Sequence, residues 1–148
     1  MSVMDPRPAA HEAAARAATW LLQGPAVVLR GPEAGGVVGR VATGEAPFVY
    51  PEICGYHLSW LASLARMDPA RAPAAAHAAA GVASWLEEHD RVHDRFVTRV
   101  HGVPLDDWRN RVEFTFDLGM ILRGLDAAAA VFPGQALPRL RRRCLSRI

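Results

Sequence analysis

The sequence predicts an all-α fold, mainly of helical hairpins, with one or two short β-hairpins. Five segments carry apolar residues at helical spacing, and Pro or Gly interrupts the chain between them. β-Branched pairs flanking a Gly/Pro cluster occur near residues 27–40, where a hairpin is expected. With 148 residues, 51% of them hydrophobic, the chain predicts a single α-helical domain over residues 1–148.

The N-terminal half predicts helix, hairpin, helix. The first helix is expected from His11 to Gln23, where Gly24-Pro25 breaks the helical hydrogen bonds. Residues 27–30 and 37–40 then predict two short strands around a turn. The second helix is expected from Pro51 to about Met67, because Pro suits the first turn and the Glu after it complements the positive helix end.

The C-terminal half predicts three more helices. The third is expected over 70–88, and residues 95–101 alternate weakly, which favours a short strand or an extended loop. The fourth helix, over 115–132, has apolar residues that fit a 3.6-residue period and ends before Pro133-Gly134. The last is expected over 138–148, with an apolar face that has nothing after it to pack against.

Composition and charge exclude several classes of partner. The net charge is only +2, and the one basic cluster, over residues 139–147, lacks the broad face and interleaved aromatics of a nucleic-acid site. We expect this cluster to be a solvated helix face or the rim of an interface, and no nucleic-acid partner. All basic residues are Arg and Ala is abundant, which is typical of a GC-rich bacterial genome.

The compartment predicted from the sequence is the cytoplasm. Cys54 and Cys144 lie in apolar helical patterns and are expected to be buried and reduced. The N-terminus lacks the basic and apolar regions of a signal peptide. No apolar run approaches the ~20 residues that span a bilayer, so no membrane partner is expected.

The order of segments resembles a known group of folds. A helix ending in Trp-Leu and a hairpin precede a Tyr-Pro-Glu-x-x-Gly-Tyr helix start, and a later helix reads Phe-Asp-x-Gly-x-x-Leu-x-Gly-Leu. This pattern is similar to the opening half of the six-hairpin glycosidase-like α/α toroids, which include glycoside hydrolases, polysaccharide lyases and sugar epimerases. The match spans almost the whole chain, but such toroids use about twice as many helices. The residues that carry it are Tyr50, Pro51, Glu52, Gly55, Tyr56, Phe116, Asp117, Gly119, Leu122, Gly124 and Leu125.

The resemblance implies a site. In a toroid the inner helices run parallel, so the N-termini of the second and fourth helices would meet at one rim of a cavity. Glu52 and Asp117 would then be the catalytic residues, as acid and base or as nucleophile. Both carboxylates could instead only cap their helices. The substrate-binding residues implied by the same placement are Tyr56, His57, Arg123 and Trp60, although His57 could be a core histidine.

Other motifs predict no cofactor. His89 and His93 are four residues apart, near Asp90 and Asp94, and could bind a metal on one helix face. Because the His-Glu-x-x-His signature is absent, a charged, solvated helix end is the expected reading, and we predict no metal. The glycines between residues 31 and 39 lack the Lys-Ser/Thr ending of a phosphate loop, and no nucleophilic triad is readable.

The sequence leaves three functions open and predicts a partner. The chain could be a subunit of a carbohydrate-acting enzyme, a non-catalytic scaffold that binds a partner protein, or a protein that tailors a peptide natural product. Five helices make an open arc with apolar edges, so we expect a homo-oligomer or a second protein that completes the toroid. Trp20, Trp60 and Trp85 lie near apolar stripes and are expected to be largely buried.

Overall fold

The computed structural model describes residues 7–41, 48–98, 108–133 and 136–148, which are mainly helical, as predicted. In these ranges, two short 3₁₀ helices, Pro69–Arg71 and Trp108–Arg111, lie in the connections. The α-helices are α1 (Arg7–Gln23), α2 (Pro51–Met67), α3 (Ala72–His93), α4 (Thr115–Ala129) and α5 (Ala136–Leu145).

Four of the five helices described differ from their predicted bounds. The α1 helix begins at Arg7 instead of His11, and α5 spans Ala136–Leu145 instead of residues 138–148. The α3 helix continues past Glu88 to His93 and ends where Asp94 adopts a left-handed φ of 52°. The α4 helix ends at Ala129, and Val131 and Phe132 lie in a following turn in which their N–H groups bond to Ala128 O. Periodicity cannot detect these ends, because turn residues that remain packed on the core keep the apolar spacing.

The predicted hairpin near the N-terminus forms as bridges instead of regular strands. Val27 pairs with Val37, and Val38 pairs with Val49, both antiparallel and isolated. Gly31 and Gly35 adopt positive φ between them, and Gly35 lies against α3, where an added Cβ would be 2.2 Å from Gly81 O. Residues 95–98 are irregular, and the rest of the predicted 95–101 strand lies outside the described residues.

Four helices form two layers. The α2 helix packs on α4, and α3 packs on α5, while short connections make hairpins of α2 with α3 and of α4 with α5. The core lies between these layers. Its fully buried large side chains include Leu58, Leu61, Val82, Leu86, Ile121, Leu125 and Leu140. Because α3 and α5 cover one side of the α2–α4 layer, no other described helix packs on the opposite side, which we call the open face.

The α2 and α4 helices run parallel and touch through glycines. Glu52 acts electrostatically on Asp117 near the two N-termini, and further along Gly55 faces Met120 and Gly124. Residue numbers therefore rise in the same direction on both helices. An added Cβ would lie 2.3 Å from Met120 O at Gly55, and 2.2 Å from Gly55 O at Gly124. Only glycine permits so close an approach of two helix backbones.

The first and last helices differ in burial. In α1 only Ala18 is buried among residues 9–23, and Trp20 is 44% exposed, so the prediction that Trp20 is buried is wrong. The reason is that α1 has only sparse contacts, mainly with α3. Trp85 is buried as predicted, and Trp60 is partly buried.

The last helix is better covered than its sequence suggests. Its Leu140 and Cys144 are buried, because α5 packs on both α4 and α3, whereas Leu145 and Ile148 remain exposed. Cys54 and Cys144 are free and buried, as predicted, and burial raises the pKa of each thiol to about 12. Across the described ranges, no helix combines the length and apolarity that a membrane crossing requires.

Candidate active site

Glu52 and Asp117 come together at the N-terminal ends of α2 and α4. Glu52 lies in the first turn of α2 and is half-buried, and Asp117 lies in the first turn of α4 and is only 4% exposed. The charge of Glu52 acts on the Asp117 carboxyl, and the Tyr50 side chain hydrogen-bonds to it. The two predicted carboxyl groups therefore lie close enough for the charge of one to act on the other, although 65 positions separate them along the chain.

The environment of Asp117 raises the proton affinity of its carboxyl group. Burial, together with the nearby negative charge of Glu52, raises the pKa of Asp117 to about 6, although the Tyr50 hydrogen bond acts in the opposite direction. A buried carboxyl next to a second carboxylate is the arrangement that lets an acid remain protonated close to neutral pH. The pair can thus divide into a proton donor and a charged partner.

One oxygen of the Asp117 carboxyl, Oδ2, takes no part in helix capping. The N-cap residues, Tyr50 for α2 and Phe114 for α4, make no side-chain capping hydrogen bond. Oδ2 of Asp117 is buried and has no hydrogen-bond partner among the described residues. An oxygen engaged as a cap would accept a backbone N–H of the first turn. A buried oxygen without a hydrogen bond costs free energy. Such unpartnered polar groups are found in binding sites, where a ligand completes the hydrogen bond.

The open face of the α2–α4 layer carries two more of the predicted residues, Tyr56 and Arg123, together with Phe116. On α2, Glu52 and Tyr56 are one turn apart, and Tyr56 is 42% exposed. On α4, Phe116 is 63% exposed, and Arg123, seven residues later on the same helix face, is also exposed. The exposed side chains near the half-buried Glu52 and the buried Asp117 are therefore an Arg and two aromatic rings.

His57 and Trp60 face a different surface. They line a groove of about 290 Å³ between α2, the end of α1 and residues 37–41. Their rings stack with centroids 5.4 Å apart, and His57 is buried, which lowers its pKa to about 4. Tyr56 lines this groove as well. The structure therefore divides the six predicted residues between an open face and an adjoining groove that share Tyr56.

His89 and His93 do not form a metal centre with their neighbours. No group of three or more His, Cys, Asp or Glu side chains suited to a metal occurs in the part of the chain that the structure describes. The expectation of a solvated helix end is wrong for His89, which is buried. Its ring stacks on Trp85 with centroids 5.0 Å apart and is tilted against the His93 ring, with centroids 4.6 Å apart. Trp85 Nε1 donates to Glu33 Oε2 at 2.7 Å, which connects this end of α3 to the turn over residues 31–35.

The arginine cluster is engaged within the chain. Arg143 donates to Asp90 and Asp94, and Arg147 donates to Glu113 and Asp94. Arg139 and Arg141 pair with acidic residues of α3 and α4. These ion pairs join α5 to α3, to α4 and to Glu113, while the side chains of Arg139 and Arg141 remain 71% and 46% exposed.

Sequence reasoning missed three contributors to the site. Phe116 appeared in the motif but not among the predicted site residues, and its exposure on the open face is unusual for a large apolar side chain. Tyr50 hydrogen-bonds to Asp117, and its backbone N–H donates to Val37 O at 3.0 Å beside the Val38–Val49 bridge. Gly55 and Gly124 both occur in the sequence motifs, but their contact could not be predicted, since a contact between distant residues has no local signal.

Comparison with protein-family models, with curated proteins and with solved structures finds no match for this chain. The assignment of a function therefore depends on the side chains and geometry described above.

Proposed function

We propose that the open α2–α4 face is the acid–base site of a carbohydrate-acting enzyme of the α/α-toroid type, a hydrolase, lyase or epimerase. The observation that carries the proposal is the buried Asp117 carboxyl beside Glu52 at two parallel helix N-termini. A pKa of about 6 suits a general acid, because proton donation is most effective when the pKa lies near the working pH.

In this proposal the two carboxyl groups have separate roles. In hydrolysis, the protonated form of Asp117 gives its proton to the leaving oxygen, while Glu52 acts as the charged nucleophile or as the base that activates water. Tyr56 and Phe116 offer exposed rings on which the apolar face of a sugar can stack, and Arg123 offers donors for a hydroxyl or a carboxylate. The half-toroid is completed by a second copy of the chain or by another protein.

The experiment is a turnover screen on the purified protein with a panel of neutral and acidic polysaccharides. New reducing ends report hydrolysis, ultraviolet absorbance of an unsaturated product reports elimination, and NMR reports epimerisation. Glu52→Gln and Asp117→Asn should each abolish turnover, whereas Ser63→Ala, an exposed position further along α2, should leave it unchanged. Turnover that survives both carboxyl substitutions would contradict the proposal.

The second candidate is a non-catalytic scaffold that binds a partner protein. The observation in its favour is the exposure of α1 and of Trp20, since contiguous exposed apolar surface commonly marks an interface. Sedimentation at low micromolar concentration tests assembly directly. A 16.1 kDa monomer that binds no partner would overturn both the scaffold and the completed toroid, whereas a complex without turnover on any glycan would favour the scaffold or a role in peptide tailoring.

A further inference from the structure

The groove beside the acid–base face has the composition of a small-molecule site. It is lined by three aromatic residues, Trp20, Tyr56 and Trp60, and by apolar residues that include Val37 and Ile53. Trp20 and Tyr56 are both substantially exposed, although large aromatic side chains usually lie inside. A volume of about 290 Å³ is at the small end of the range for ligand pockets, which suits one or two rings better than an extended polymer.

One polar group in the groove lining has no partner. His57 is 4% exposed, and its Nε2 makes no hydrogen bond to any part of the chain that the structure describes. Burial lowers the pKa of His57 to about 4, so its ring is neutral at pH 7. A buried nitrogen without a hydrogen bond is a standing cost, which a ligand hydroxyl would relieve. Trp60 stacks on His57 with ring centroids 5.4 Å apart and is only partly buried. Because Nε2 is buried, contact with a ligand hydroxyl requires the neighbouring side chains to move.

We infer that this groove binds an aromatic ring that bears a hydroxyl group, with the ring against Trp20, Tyr56 and Trp60 and the hydroxyl hydrogen-bonded to His57 Nε2. Aromatic rings are favoured over aliphatic chains because offset or edge-on contacts with three rings add to the burial of apolar surface. The hydroxyl is required because Nε2 is otherwise left unpartnered in the bound state.

A ring bound in this groove would also limit the class of substrate that the neighbouring carboxyl groups can act on. Tyr56 lines the groove and lies one turn after Glu52 on α2. A ring in the groove is therefore next to the carboxyl pair and is placed as the aryl part of a glycoconjugate. This last step rests on the proposed function, whereas binding of the ring itself does not.

The test compares the binding of phenol and of toluene to the whole chain. Binding is monitored through the NMR signals of the Trp20 and Trp60 indole N–H groups. Phenol should bind roughly three- to tenfold more tightly than toluene, as one net hydrogen bond provides, and it should shift both indole signals. His57→Leu should remove the preference for phenol and still fold, since it replaces an unpartnered buried nitrogen by apolar atoms. His77→Leu, at an exposed position on α3, should keep the preference.

Three results would overturn the inference. They are toluene binding as tightly as phenol, cyclohexanol binding as tightly as phenol, and phenol binding without a shift of either indole signal. None of these measurements requires turnover. A glycan-inactive protein that still selects phenol would leave the ring site standing and remove only its link to the proposed enzyme.

Discussion

Gly55 and Gly124 bring the backbones of α2 and α4 into direct contact, so that a Cβ added at Gly124 would lie 2.2 Å from Gly55 O. This contact sets the separation of the two helices one to two turns beyond Glu52 and Asp117. The electrostatic effect of Glu52 on Asp117 therefore depends on a contact between two helix backbones, in which no polar side chain takes part.

Gly55→Ala should destabilise the protein by about 1–3 kcal/mol or more, because two backbones must separate to admit one methyl group. Urea denaturation measures the loss. Gly119→Ala is the matched control: no atom lies within 4 Å of its added Cβ, so better helix propensity should stabilise it by about 0.5–1 kcal/mol. Equal effects of the two substitutions would show that the helices can part freely.

Asp117 should make the protein less stable as pH rises from about 4 to about 6. Its folded-state pKa of about 6 exceeds the ordinary value of 3.8, so the native state binds the proton more tightly than the unfolded chain does, and this advantage is lost as the carboxyl ionises. Relative to the wild type, Asp117→Asn should therefore be more favourable at pH 7 than at pH 4. Denaturation curves at both values test this, and an unchanged difference would refute the raised pKa.

Glu52→Gln should lower the pKa of Asp117 towards its ordinary value, because it removes the negative charge that opposes ionisation. A carboxyl carbon resonance of Asp117 followed by NMR across pH 3–8 would report the change without any substrate. Ser63→Ala, further along the same helix, should leave the titration where it is. A titration that is also unmoved by Glu52→Gln would mean that the two carboxyl groups do not interact.

His89 should contribute to acid denaturation. Burial, with a smaller effect from His93, lowers the pKa of His89 to about 3, whereas an unfolded histidine titrates near 6.5. The unfolded chain therefore binds the extra proton first, and stability falls below about pH 6.5 by as much as ~1.4 kcal/mol per pH unit for one such proton. His89→Phe keeps a ring against Trp85 and should reduce this slope, while the exposed His77→Phe should not. His57, with a pKa of about 4, should maintain part of the slope in both variants.

Arg147 should be the most sensitive position of the arginine cluster. Its side chain is 17% exposed, donates to Glu113 Oε2 at 2.8 Å and contacts both the backbone carbonyl and the carboxylate of Asp94. Arg147→Ala should cost about 2–3 kcal/mol, since charge-assisted hydrogen bonds with little exposure are lost. Arg142→Ala, at an exposed position of the same helix, should change stability by less than ~0.5 kcal/mol in thermal or urea unfolding. Similar losses at the two positions would contradict a specific role for Arg147.

The sequence predicted the helices well because their signals are local. The start of α2 at Pro51 and of α4 at Thr115 follow from Pro, acidic residues and apolar spacing near those points. The pairing of Glu52 with Asp117 was predicted through the resemblance, and the structure brings the two together. Whether they catalyse a reaction stays a prediction.

What could not be predicted depends on contacts between distant segments. The exposure of Trp20 follows from how little of the chain covers α1, which its own Ala-rich sequence cannot show. His57 and Trp60 were grouped with Tyr56 because all three follow Glu52, but rotation around α2 places their rings in the groove. The burial of His89 depends on the stack with Trp85 and on Phe96, beyond the end of α3.

The sparse coverage of α1 has a consequence for local unfolding. With Ala18 as the only buried side chain among residues 9–23, little of its helical structure is held by tertiary contacts, and a helix of this length is marginal in water without them. Its amide hydrogens will exchange with solvent through openings that leave the four-helix body intact, well before those of α2 or α4. Slow exchange along α1 would then be a residue-resolved sign that another surface has closed over it.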